Sequence, residues 1–232
     1  MNNKITIVVA SENTKEEKIG FFDMIERTCQ YPYELLFFEK NEESLTTIYQ
    51  NILDNSESDI IIYMHDDIEF LKDGWGKTIV NIFNKNPKFG IVGIAGTRCY
   101  GENGQLAWWM SKPEDKRGML FHSDEGKTWP TIYSDYNPKS DITEVAVIDG
   151  VFMAINRDKI EYDFDTDIKG FHFYDIDFCI ANLLSRRCKI GVTDRIAVKH
   201  NSIGRTNEHW EENKKIILEK YKNNFPLKVF GK

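Results

Sequence analysis

The strongest constraint on the fold is a rhythm in the amino-terminal part of the chain. Short apolar runs alternate there with stretches whose apolar residues recur every three or four positions. Lys4 to Ala10, Tyr33 to Phe38, Asp59 to Met64 and Gly90 to Ala95 have the length and character of strands. Between them, Thr14 to Arg27 carries Ile19, Phe22 and Ile25 at helical spacing. Leu45, Ile48, Tyr49, Ile52 and Leu53 form a helical stripe behind Ser44, a suitable N-cap, and Asp73 can cap a helix carrying Trp75, Ile79, Ile82 and Phe83. The run ending at Met64 is almost wholly apolar, as expected of a parallel strand covered on both faces. This alternation predicts an α/β fold with a doubly wound, mostly parallel central sheet flanked by helices. Ligands of such sheets bind beyond the carboxyl ends of the strands, so the residues that follow strands matter most.

From Gly96 to about Asp141 the pattern turns irregular, with Trp108, Trp109, Trp129, Tyr133 and Tyr136 set among glycines and prolines. So aromatic a loop region either serves function or covers a sheet edge. Regularity returns in a strand over Glu144 to Asn156, broken at Asp149-Gly150. A helix over Tyr174 to Arg187, strands near Lys189–Val192 and Ile196–His200, and a closing helix marked by Trp210, Ile217 and Tyr221 complete the chain. The 232 residues read as a single domain.

Several functional classes fall away. With 37 acidic against 30 basic residues the net charge is −7, which disfavours a nucleic-acid partner. No run is long enough for a membrane span, and the first apolar run is too short for a secretory signal. The four cysteines show no CxxC spacing, so they are expected to be reduced thiols in a cytoplasmic protein. Lys214, Lys215, Lys220 and Lys222 leave peripheral membrane contact open, although a solvated helix face explains them more simply.

Three clusters could carry chemistry. His65-Asp66-Asp67 follows the third strand, where adjacent carboxylates repel unless a cation or donor network neutralises them. Oxygen ligands so placed suit Mg2+ or Mn2+ shared with substrate phosphates. Phe171-His172-Phe173-Tyr174-Asp175-Ile176-Asp177 stands at a helix start. Helix capping accounts for one of its aspartates, and a partly desolvated carboxylate among aromatic rings can act as a general base. Val198-Lys199-His200 and the residues through Arg205 follow the last core strand, making His200 a candidate third metal ligand and Arg205 a candidate diphosphate partner. Asp163, Asp165 and Asp167 mimic a calcium loop, but Ile168 and Tyr174 stand where glycine and glutamate are required.

Together these stretches resemble the GT-A fold of nucleotide-sugar-dependent glycosyltransferases, in the inverting, family-two-like branch. The likeness is closest to a short bacterial glycosyltransferase-like family with a His-x-Asp form of the D-x-D motif. It rests on Ile61 to Ile68, Trp75, Phe89 to Gly96, the Gly170-to-Asp177 string and Val198-Lys199-His200. The resemblance implies a single GT-A domain, with a nucleotide-binding half (1–96), an acceptor-binding half (97–205) and a C-terminal helix and tail (206–232). It implies that His65, Asp67 and His200 hold a divalent metal, Mn2+ or Mg2+, and that Asp175 is the general base. Ala10, Ser11, Glu39, Asp66 and Arg205 would contact the donor, expected to be UDP-linked. Trp108, Trp109, His172, Tyr174 and Asp177 are further expected substrate-binding residues, and the acceptor is expected to be a carbohydrate or lipid-linked, in a pathway such as bacterial polysaccharide biosynthesis. Two positions depart from the family pattern: His65 takes the first D-x-D position, and Tyr174 replaces the glutamate before the base. They keep open the alternative of a non-catalytic nucleotide- or carbohydrate-binding protein on the same fold.

Overall fold

The computed structural model describes residues 4–124, 126–133, 140–202 and 206–229. The first half unfolds as β1 (Ile5–Ala10), α1 (Ile19–Cys29), β2 (Tyr33–Phe38), α2 (Leu45–Asn55), β3 (Ile60–Met64), β4 (Ile68–Phe70), α3 (Trp75–Lys85) and β5 (Phe89–Gly93). There follow β6 (Ala95–Thr97), β7 (Cys99–Tyr100), β8 (Lys116–Asp124), β9 (Lys127–Ile132), β10 (Thr143–Val145), β11 (Val147–Ile148) and β12 (Phe152–Asn156). The chain closes with α4 (Tyr174–Ser185), β13 (Lys189–Val192), β14 (Val198–His200), α5 (Glu208–Tyr221) and β15 (Leu227–Lys228).

The central sheet has the order β10-β13-β5-β12-β3-β1-β2. Strands β1, β2, β3, β5 and β13 run one way, and β12 and β10 run against them. Both faces are buried. Val8, Ile61, Tyr63 and Ile155 pack with α2, α4 and α5, whereas Ile7, Val9, Ile62 and Ala154 pack with α1 and α3. Strand alternation sends successive side chains to opposite faces, so a wholly apolar run is what such a sheet requires.

Local details depart from the sequence expectations. The first helix is preceded by a short 3-10 turn, Glu16–Lys18, and becomes α-helical only at Ile19. Position 74, a glycine with φ 81°, precedes α3 in place of a capping Asp73, which instead faces Arg27 at 3.7 Å. The Ser44 hydroxyl caps no amide of α2 and accepts the backbone N–H of Gly170 at 3.0 Å, tying the start of α2 to the loop before α4. The region expected to be irregular contains a hairpin, β8–β9. Its inner strand joins a second sheet, β11-β6-β8-β14-β4, laid over the carboxyl end of the first. Trp129 and Tyr133 are described there, while Tyr136 lies outside the described residues. No helix among the described residues is long and apolar enough to cross a membrane.

Candidate active site

Strand β3 ends at Met64, and His65, Asp66 and Asp67 emerge from its carboxyl end. Strand β14 pairs antiparallel with β4, so that His200 stands opposite Ile68. The backbone N–H of Asn201 donates to the Asp67 carbonyl at 2.9 Å. This second-sheet pairing brings His200 Nε2 to 3.2 Å from Asp67 Oδ1, with His65 Nδ1 at 4.0 Å from the same oxygen. One ligand atom from each of the three lies within 4.8 Å of the others. Asp67 Oδ1 is buried and has no hydrogen bond of good geometry. An orphaned carboxylate oxygen is costly, and two imidazole nitrogens beside it make the donor set of a divalent-cation site. Burial opposes a charge on either partner, yet the mutual attraction of Asp67 and His200 wins. It holds the Asp67 carboxyl below its ordinary range and the His200 imidazole above its own.

His65 is fixed from behind. Its Nε2 lies 3.2 Å from the hydroxyl of Tyr174, which donates its own proton to the Gly150 carbonyl at 2.9 Å. With that proton committed, the Tyr174 oxygen accepts from His65, so Nε2 carries the ring hydrogen and Nδ1 keeps its lone pair on the Asp67 side. Burial lowers the His65 pKa and keeps the ring neutral. Tyr174 is 2% exposed and lies in the lining of the smaller cleft, where it supports His65 from beneath. Its approach leaves no room for a side chain at Gly150, whose added Cβ would overlap the tyrosine hydroxyl.

Asp66 turns the other way. Its Oδ2 accepts from the Ser11 hydroxyl and from Asn13 Nδ2 at 3.2 Å, and it pairs with Lys18 at 2.9 Å. Ala10, Ser11, Asp66 and the metal-site residues line a cleft of about 960 Å³ that continues along Asn13, Lys40 and Asn41. Glu39 is not among its walls. That carboxylate is exposed and accepts the Lys15 backbone N–H at 3.1 Å, bracing the loop after β1 from outside. Asn13 and Lys18 escaped the sequence reading because they neither end a strand nor belong to a motif.

A second cleft, about 410 Å³, opens on the other side of His65 and His200. Asp175 lies at the start of α4. Its Oδ2 accepts the Gly150 N–H at 2.7 Å and its Oδ1 the Ile176 N–H at 2.8 Å. Burial, reinforced by the neighbouring negative charge of Asp149, pushes the Asp175 carboxyl up to about 7. Asp149 is held by Trp108 Nε1 at 3.0 Å and by the Val151 N–H at 2.9 Å. It follows strand β11, so the rule of inspecting strand ends could have found it. Trp108 is buried as part of the wall, while Trp109 is 42% exposed at the rim. His172 lies in the lining, pushed by burial down to about 4. His122, contributed by the unexpected hairpin, lines the same cleft.

Asp177 does not belong to this group. It is 1% exposed, pairs with Lys220 at 2.9 Å and accepts from the Tyr221 hydroxyl at 2.8 Å, joining α4 to α5. Two residues along a helix turn a side chain through roughly 200°, so Asp175 and Asp177 cannot share a face. Arg205 lies outside the described residues.

A family model described as "Glycosyltransferase like family" matches residues 5–221. No curated protein matches the chain by sequence. Among solved structures, GalNAc-T7 with UDP, GalNAc and Mn2+ aligns at 11% identity and a TM-score of 0.54, covering 94% of this chain and 48% of the other. The mannosyltransferase PcManGT from Pyrobaculum calidifontis, in complex with GDP-Man and Mn2+, aligns at 12% identity and a TM-score of 0.52, covering 88% and 59%. The chain thus spans about half of each neighbour's length. The likeness is one of fold, and that fold is the GT-A architecture.

Proposed function

The chain belongs to the glycosyltransferase-like family, and from that premise we propose that it transfers a sugar from a nucleotide-sugar donor to an acceptor hydroxyl with inversion. The observation that carries the proposal is that His65 and His200 line both clefts while Asp67, clustered with them, lines the larger one. Donor and acceptor can therefore meet at one point, with the prospective cation on the donor side and Asp175 on the acceptor side. The larger cleft draws mostly on the first 96 residues and the smaller mostly on 97–205, which supports the assigned division of labour.

In this mechanism Asp175 takes the proton of the acceptor hydroxyl as that oxygen attacks the anomeric carbon. The bond from that carbon to the diphosphate oxygen breaks, the diphosphate leaves with the electron pair, and a single displacement inverts the centre. Two backbone N–H groups fix the Asp175 carboxylate, so little reorganisation is needed as it takes up the proton. What a divalent cation supplies at His65, Asp67 and His200 is neutralisation of the departing diphosphate. Two imidazoles in the donor set favour Mn2+ over Mg2+. A UDP carrier and a hexosyl or hexosaminyl group follow the family resemblance. The binding-only alternative loses support because its two motivating departures, His65 and Tyr174, bond to each other and orient a metal ligand.

The test is a thermal-shift panel of UDP, GDP, CDP, ADP and dTDP, with and without Mn2+, on the wild type and Asp67→Ala. Ligand at about 100 times its dissociation constant adds about 2.7 kcal/mol to the folded state. A Mn2+-dependent shift for one nucleotide, lost in Asp67→Ala, is expected. Silence across the panel would remove the donor site.

A further inference from the structure

The composition of the smaller cleft is unusual. Four of the chain's five histidines line it, together with two carboxylates and several aromatic rings. Among its described lining residues there is no lysine or arginine. Two of the imidazoles, at His122 Nδ1 and His172 Nε2, carry buried nitrogens with no hydrogen-bond partner among the described residues. Leaving such atoms unpaired costs stability, a cost that a ligand able to reach them removes. A hydroxyl donates and accepts at once, so it satisfies either nitrogen whichever tautomer stands. Asp149 and Asp175 each spend two of about four lone-pair sites on the protein and retain others for hydroxyl donors.

The rim supplies the complementary surface. Trp109 and Trp210 form a tilted pair with ring centroids 5.3 Å apart, and Phe171 lies 4.1 Å from His172. Trp109 and Phe171 are 42% and 45% exposed, which leaves part of each ring open to contact. Aromatic faces bind apolar C–H surface while the floor offers polar atoms, and a pyranose presents both kinds of surface in one ring. The two carboxylates repel a phosphate or carboxylate in the same space. A serine or threonine side chain offers one hydroxyl, too few for two imidazoles and two carboxylates.

We propose that the smaller cleft binds an uncharged pyranose, so that the acceptor hydroxyl is carried by a neutral sugar unit and not by a phosphorylated lipid, an acidic sugar or a peptide. The proposal rests on the glycosyltransferase assignment for the word acceptor, but the binding itself does not require turnover.

Trp108, Trp109 and Trp210 line the cleft, so intrinsic fluorescence of the full chain reports its occupancy. The probes are the methyl glycosides of glucose, galactose, mannose and N-acetylglucosamine, set against the anionic sugars glucuronate and glucose 6-phosphate and a serine/threonine peptide. Each is titrated with and without UDP and Mn2+. At least one neutral glycoside should give a saturable change, at least tenfold tighter than any charged sugar or the peptide. Trp109→Ala, at an exposed position that does not endanger folding, should weaken it at least fivefold, with recovery in Trp109→Phe. His122→Ala should weaken it as well. Preference for a charged probe or the peptide, or no response to any saccharide, overturns the inference. Nucleotide thermal shifts measured on the same samples separate the two ideas. Saccharide silence with an intact nucleotide response sinks only the sugar site, whereas lost nucleotide response with intact saccharide binding sinks the transferase assignment.

Discussion

His65 and Tyr174, 109 residues apart in the chain, meet at 3.2 Å through the imidazole Nε2 and the phenol oxygen. Together they form one hydrogen-bonded unit that joins the end of β3 to the start of α4. The tyrosine hydroxyl spends its proton on Gly150 and accepts from His65, which leaves Nδ1 of the histidine free as a ligand.

Tyr174→Phe should therefore act on the metal. The change strands the Gly150 carbonyl and His65 Nε2, at a cost of about 1–2 kcal/mol in stability. Loss of the orienting bond should reduce Mn2+ affinity about 10–100-fold. Electron paramagnetic titration of Mn2+ reads this directly. Undiminished affinity in a folded variant would show that the phenol does not orient the ligand.

Sugar transfer should rise with pH through about 7, since Asp175 must lose its proton to act as a base and burial pushes its carboxyl up to about 7. Asp175→Asn should lower the rate about 10²–10⁴-fold while nucleotide binding persists. A variant that keeps the rate, or keeps the same pH limb, would remove Asp175 from the base role. The linkage to stability has the opposite sign to that of an ion-paired carboxylate. Folded Asp175 holds its proton to about 7 where the unfolded chain releases it near 4, so its contribution falls as pH rises through that window.

Asp177→Ala should damage the fold and spare the chemistry of the clefts. It leaves the Tyr221 hydroxyl and Lys220 without the carboxylate that joins α4 to α5. Lys220 is partly exposed and keeps Asp165 at 2.6 Å, so the expected loss is about 2–3 kcal/mol, at or below the low end for a broken buried pair. Urea unfolding measures it, and an unchanged nucleotide Kd confirms that Asp177 is not a ligand contact. A changed Kd with normal stability would contradict its placement.

Gly150→Ala places a methyl group against the buried Tyr174 hydroxyl. Overpacking of that kind costs about 1–3 kcal/mol. Because Gly150 also donates to Asp175 and accepts from Tyr174, transfer should fall along with stability. An unchanged urea midpoint would mean that the turn between β11 and β12 yields without loss.

The strands and their order of appearance were determined by the sequence itself, because apolar runs such as Ile60–Met64 are local signals that burial on both sheet faces demands. The strand-end rule likewise points to His65, Asp67 and His200, and the aromatic motif at the start of α4 points to Asp175. The hairpin β8–β9 carries no such signal, because Met119, Leu120 and Phe121 are apolar in succession although only Leu120 of the three is buried, and β9 is largely exposed. Only the tertiary structure decided which strand-end residues meet. Asp177 shares a motif with Asp175 yet is drawn into the interior by Lys220 and Tyr221, residues from a different helix. His122 and His200 become neighbours because β8 and β14 pair side by side, and His65 meets Tyr174 at the start of α4, a helix packed against β11 and β13. A chain's periodicity records which face of an element is buried, whereas the identity of the partner waiting on that face is a property of elements distant in sequence.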